Sequence, residues 1–268
     1  MSTTASPKPP AIVSAQADGV VIVEVGPAHK KYYLHKALVV FHSEYFRKAL
    51  QGSWKEAKEG IVRLEDVESN AFNVFVHWLY NQQIPEEFDY TAWTSIFGDD
   101  VMLYQDQFQL QIQAYALGDR LLAPVFRRAL NDVIVSNQIM QYLSASKRLP
   151  IYQWAFANIS EDRPLLQFLV NKFCSGWLEQ KDDDNIGLNN LPQAFTARVL
   201  RRYSQLVVMS ETEQEKTYCY SEHSSKEEQK SCSEGLHMKY DAERDFGDFL
   251  KDSDLDSDLD SQTEDGTD

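Results

Sequence analysis

Cysteine and histidine are the residue types here with the chemistry to hold a metal, and Cys219, His223, Cys232 and His237 recur as C-x3-H-x8-C-x4-H. Thiolate and imidazole are ligands that zinc takes, but the central interval is shorter than in zinc fingers and little apolar sequence lies inside it. The expectation is therefore a polar disordered stretch, with no metal bound. Asp252, Asp254 and Asp256 imitate the start of a calcium loop, yet Ser257 stands where the turn needs glycine and Thr263 where the loop needs a bidentate Glu. His35 has no second ligand in local spacing. The eleven glycines are thinly spread and form no phosphate-binding loop or nucleophile elbow. No Ser or Cys has a neighbouring motif that would activate it. No catalytic residue and no cofactor are expected, and a metal-dependent module is the remotest reading.

Ser253, Ser257 and Ser261 each have an acid three residues on (Asp256, Asp260, Glu264), a spacing that acidophilic kinases accept, so these serines are phosphorylation candidates. They lie in an acidic tail. Residues 211–268 hold 19 acidic and 6 basic side chains, against 22 and 20 in residues 1–210, so most of the net charge of −15 is carried there. A near-neutral body beside such a tail argues against direct nucleic-acid binding, which needs clustered Lys and Arg. Phe246, Phe249 and Leu250 among Asp245, Asp248 and Asp252 resemble an acidic and hydrophobic recruitment segment. Three scattered cysteines suit a reducing compartment, cytoplasm or nucleus, and no apolar run approaches the ~18 residues of a membrane span.

The elements that must position these groups follow from periodicity. Residues 1–17, with Pro7, Pro9 and Pro10, read as a flexible leader, so order should begin near Asp18. Val20 to Val25 is a β-branched strand closing at Gly26-Pro27 and returning as a second strand over 31–34. Two short helices follow, the second with a cap at Ser43 and apolar Tyr45, Phe46, Ala49 and Leu50. A strand over 61–64 leads to a helix burying Phe72, Phe75, Val76, Leu79 and Tyr80, which Pro85 ends. A polar and aromatic connection, a lid or a mobile loop, runs to about Asp106. The next helix carries Leu110, Ala114, Leu117 and Leu121 and is interrupted near Gly118. Another starts at Ala123-Pro124, with Leu122, Val125, Phe126, Ala129, Leu130 and Val133 on one face. Helical stretches at about 138–147, 151–158, 164–178 and 192–207 form an all-α extension, broken by the polar loop at Asp182–Asn185.

The joints of this plan carry a resemblance. Asp18, Val20 to Gly26, Leu34-His35-Lys36-Ala37-Leu38, Ser43-Glu44-Tyr45-Phe46, Val62 to Val67, Ala71-Phe72 and Phe75 to Tyr80 together resemble the BTB/POZ domain. The match covers about 100 of the 268 residues. The region after it is similar to the C-terminal part of fungal proteins with BTB domains, through Asn158 to Leu166 and Leu191 to Phe195. The organisation expected is an α+β fold. It comprises a leader (1–17), a BTB/POZ-like small sheet covered by helices (18–120), an α-helical extension (121–209) and a disordered acidic tail (210–268).

The resemblance implies a non-catalytic protein–protein interaction module. Ligase-type adaptors of the family carry an apolar residue, any residue, then Glu after the helix that holds Tyr45 and Phe46, and Trp54-Lys55-Glu56 has that spacing. Asp18 and Lys36 match a charged pocket of transcriptional members. Leu50, Trp54, Glu56, Asp18 and Lys36 are accordingly the partner-binding candidates. A substrate adaptor for a cullin-type ubiquitin ligase and a transcriptional co-regulator using the acidic tail are the two specific readings. The partners implied are other proteins, a cullin or another BTB chain, with neither nucleic acid nor membrane. Family dimers exchange a helix that precedes the position of Asp18, which residues 1–17 are too short and proline-rich to supply.

Overall fold

The computed structural model describes residues 9–51, 55–87, 89–97, 104–136, 139–177, 190–208, 218–232 and 236–237. Order begins before Asp18: helix α1 spans Ile12–Ala15 and a 3-10 turn Gln16–Asp18, with Ala15 wholly buried. The last part of the stretch expected to be a flexible leader is thus ordered, because Ala15 has a core to pack on that its neighbours in sequence do not reveal.

β1 (Val20–Val25) is the centre of a three-stranded sheet, antiparallel to β2 (Lys30–His35) and parallel to β3 (Ile61–Leu64). Alternation sets its faces. Val21, Val23 and Val25 join Leu34, Val62 and Leu64 on the buried side, while Glu24 lies between Lys31 and Arg63 on the other and pairs with both. The β1–β2 turn opens at Gly26, whose φ of 72° suits glycine and whose N–H donates to the Leu64 carbonyl at 2.9 Å.

Four helices cover the buried face: α2 (Lys36–His42), α3 (Glu44–Gln51), α4 (Lys55–Glu59) and α5 (Ser69–Asn81). Ser43 caps α3, its Oγ accepting from the Phe46 N–H at 3.2 Å, as its residue type predicts. α5 ends in left-handed Gln82, before Pro85. The connection to residue 106 is not a bare loop. It contains α6 (Tyr90–Phe97), whose Trp93 and Ile96 are buried, and Asn73 of α5 donates to the Ile96 carbonyl at 2.7 Å.

α7 (Tyr104–Arg120) closes this module, and the helical extension runs through α8 (Pro124–Ser136), α9 (Ile139–Tyr142), α10 (Ala145–Asn158), α11 (Pro164–Trp177) and α12 (Gln193–Val208). Two expectations change here. α10 is one helix that carries Pro150 inside it, where two stretches had been read. On α8 the buried stripe is Phe126, Leu130 and Ile134, with Leu122 and Val125 about half exposed, so the face is rotated toward the core of the preceding module. Phe126 packs there against both Phe75 and Trp78 at 5.2 Å between centroids. The extension and the sheet module therefore share one hydrophobic core. Farther out, Tyr152, Phe156 and Phe173 surround Phe195. No helix among the described residues is long and apolar enough to cross a membrane.

α7 runs unbroken through Gly118. The glycine is there for close approach, since a Cβ would lie 3.1 Å from both the Arg127 Cβ and the Phe126 ring and 3.3 Å from the Arg127 Cα. Gly118→Val should push α8 off α7 and destabilise the fold by about 2 kcal/mol despite valine's better helix propensity, read as a lower urea midpoint.

Candidate protein-interaction surface

The sequence candidates separate once folded. Leu50 is a core residue, 3% exposed, because with Phe46 it forms the i, i+4 stripe that α3 turns inward. It supports the surface and is not available to a partner, which corrects the expectation for this residue. Glu56 is half-buried on α4, directly after α3. Trp54 lies outside the described residues. Beside Glu56, burial pushes the half-buried Tyr45 phenol above its ordinary range, Arg120 opposing and Glu56 and Asp66 adding to the shift. Arg120 pairs with Asp66 at 2.5 Å. Tyr45, Glu56, Asp66 and Arg120 thus form a polar and aromatic patch with carboxylates predominating.

Backbone contacts fix this patch to the extension. The first N–H groups of α3 lack intrahelical acceptors, and carbonyls of the α7–α8 turn supply them: Glu44 N–H donates to Leu122 O at 3.2 Å and Tyr45 N–H to Leu121 O at 3.3 Å. The Ser43 hydroxyl donates to the same Leu121 carbonyl at 2.6 Å.

Asp18 is exposed and Lys36 half-buried. Gly19, at φ 73°, turns the chain so that its carbonyl accepts the Lys36 N–H at 3.0 Å, yet no ion pair joins Asp18 to Lys36 among the described residues. His35 Nδ1 lies 3.0 Å from the Tyr80 hydroxyl. Ser253, Ser257, Ser261 and the recruitment segment from residue 241 lie outside the described residues.

Part of the stretch expected to be a disordered tail is ordered, namely residues 218–232 and 236–237. Its described residues include β4 (Tyr218–Cys219), α13 (Lys226–Ser231) and β5 (Leu236–His237), and this segment docks on the extension. Asn131 donates to the Tyr220 carbonyl at 2.8 Å, Asn171 donates to the Tyr220 hydroxyl at 2.7 Å, and Phe168 meets the Tyr220 ring edge-on. Glu222, 6% exposed, accepts from Arg127 Nε at 2.8 Å and from the Tyr115 hydroxyl. Burial pushes that phenol far up, and the Glu222 carboxylate adds to the shift.

Arg127 also donates to Asp119 at 2.7 Å, and Asp119 accepts in addition from Arg163 at 2.6 Å and Ser160 at 2.9 Å. Two carboxylates and two guanidinium groups form the centre of one network spanning α7, α8, the turn before α11 and the docked segment, and Asp162 adds a third carboxylate 3.8 Å from Arg163. Sequence reading missed all four central residues, because the partners that matter lie 8, 44 and 95 residues apart and no local pattern joins them. The local signal it could have used is Ser225-x-x-Glu228, a helix-start pattern realised here by Glu228 N–H donating to Ser225 Oγ at 3.1 Å.

A small mixed sheet covered by helices, carrying a polar patch braced by a helical extension, defines an α+β interaction module. The family model of the BTB/POZ domain matches residues 15–111, and the chain is a BTB/POZ domain-containing protein. That domain mediates protein–protein interaction. No curated protein matches the chain.

Burial raises the Asp119 carboxyl, but Arg163, Ser160 and Arg127 together hold it below its ordinary 3.8. The contribution of the network to stability is then full above that value and is lost as pH falls through the lower folded value. Asp119→Ala leaves two guanidinium groups short of an acceptor and should cost about 3 kcal/mol at neutral pH. Urea unfolding between about pH 2 and pH 6 should show a shallower acid limb in Asp119→Asn than in the wild type.

Proposed function

We propose that this chain is a non-catalytic adaptor that presents a substrate to a cullin-type ubiquitin ligase in the cytoplasm or nucleus. The cullin takes the surface made by the end of α3 and by α4. The observation that supports this is the placement of Glu56, half-exposed on α4 directly after α3, where its charge acts on the half-buried Tyr45 phenol. A carboxylate at the rim of a half-buried aromatic is what an interface of moderate size uses, the ring contributing contact area and the charge orienting the partner. Bracing of α3 by the α7–α8 turn keeps this surface rigid, which lowers the ordering cost of binding. The same bracing joins the cullin face mechanically to the extension, the part of the chain that would carry a client.

Affinity purification of the full-length protein beside a Trp54→Ala, Glu56→Ala double variant tests this reading. Mass spectrometry should find a cullin with the wild type and lose it with the variant. If neither form captures a cullin, the adaptor reading fails, and other captured proteins, including a second BTB chain, would define a simpler interaction module.

A further inference from the structure

The docked segment brings together a set of side chains that the interaction surface does not use. Cys219 Sγ lies 3.4 Å from His223 Nε2 and 3.9 Å from Cys232 Sγ, and the three ligand atoms all fall within 4.8 Å of one another. Neither thiol is in a disulfide, and their separation is far beyond the ~2.05 Å of such a bond. Around a tetrahedral zinc ion, with Zn–S about 2.3 Å and Zn–N about 2.05 Å, two sulfurs stand about 3.8 Å apart and sulfur and nitrogen about 3.6 Å apart. The Cys219–Cys232 and Cys219–His223 spacings agree with this to within a few tenths of an ångström.

Local structure explains how so short an interval closes. After His223, the Ser224 N–H donates to Glu228 Oε2 at 2.6 Å and the Ser225 hydroxyl caps α13. At the far end the Cys232 N–H donates to the Glu228 carbonyl at 3.0 Å, which returns Cys232 toward Cys219. β4 and β5 then pair in parallel with His237 in register opposite Cys219.

We propose that Cys219, His223, Cys232 and His237 form a structural zinc site. Two thiolates and two imidazoles suit this borderline-soft, four-coordinate ion better than the oxygen-seeking calcium or magnesium. The segment has a use for such a crosslink. β4, α13 and β5 span two, six and two residues, too short to hold their conformation alone, and the interval between the cysteines offers almost no apolar surface. Zinc supplies the folding energy that a core would otherwise provide. It also holds Tyr220 and Glu222, which lie between the first two ligands, against Asn131, Asn171, Tyr115 and Arg127. The site thus pins the segment onto the extension.

The test uses the full-length protein purified under reducing conditions without chelator. Elemental analysis should find roughly one zinc per chain, and the cobalt(II)-loaded protein should show thiolate-to-cobalt charge transfer and the intense visible bands of tetrahedral cobalt. Removing zinc with a chelator should lower the thermal midpoint, and added zinc chloride should restore it. A Cys219→Ser, Cys232→Ser double variant should lose the metal, and His237→Ala should bind zinc at least about tenfold more weakly in competition with a chromophoric chelator. The cobalt spectrum of the unmutated chain decides the matter even if the double variant misfolds. Zinc well below one per chain after refolding with zinc chloride, a cobalt spectrum without thiolate character, or full zinc in the double variant would overturn the proposal. Unchanged affinity in His237→Ala would overturn its four-ligand form.

Discussion

The sharing of Asp119 between Arg127 and Arg163 is the interaction on which the arrangement of this molecule depends. Its three polar partners come from α8 and from the turn before α11, so one carboxylate fixes where two parts of the extension sit against α7. Arg127, only 13% exposed, could not be left there with a single acceptor, and Glu222 from the docked segment provides the second. Charge pairing at a site largely removed from water thereby dictates a contact 95 residues away in sequence. Replacing the network with apolar groups would remove that dictation, since apolar surfaces slide and guanidinium forks do not.

Packing around the network is arranged to permit it. Gly118 precedes Asp119 and lets α8 approach within van der Waals contact, which places Phe126 against Phe75 and Trp78 on one side of the Arg127 backbone. The BTB/POZ module and the extension consequently act as one body. That unity matters for an interaction protein: the α3–α4 surface is capped by carbonyls of the α7–α8 turn, so its geometry is held by the extension as well as by its own sheet. A domain connected by a flexible linker would present the same residues with a larger entropy cost on binding.

The docked segment shows how a polar stretch can be ordered without a core. Tyr220 contributes one ring and two hydrogen bonds, Glu222 contributes a buried charge, and the rest of the segment is hydrophilic. The zinc proposed for the Cys and His cluster would crosslink this segment within itself. Its position next to Glu222 links whatever governs the cluster, metal supply or thiol oxidation, to the charge network at the centre of the molecule.

Sequence alone determined the alternating strand of Val20 to Val25, the capped α3 at Ser43 and the stripe of Phe72, Phe75 and Leu79, because these depend on periodicity and on side chains bonding to near neighbours, while the BTB/POZ class came from the resemblance carried by the joints between them. The order of Ala15, the rotation of α8 and the inward turn of Leu50 needed the tertiary structure, since each is decided by a surface contributed from elsewhere in the chain. The same holds for the sites. The resemblance pointed to Glu56, and spacing picked out the four Cys and His residues as one array that read as metal-free. Only folding decided that Cys219, His223 and Cys232 meet, and that Asp119, Arg127, Arg163 and Glu222 pair with one another, because charge pairing and metal ligation act through space at a few ångströms and leave no period in the chain.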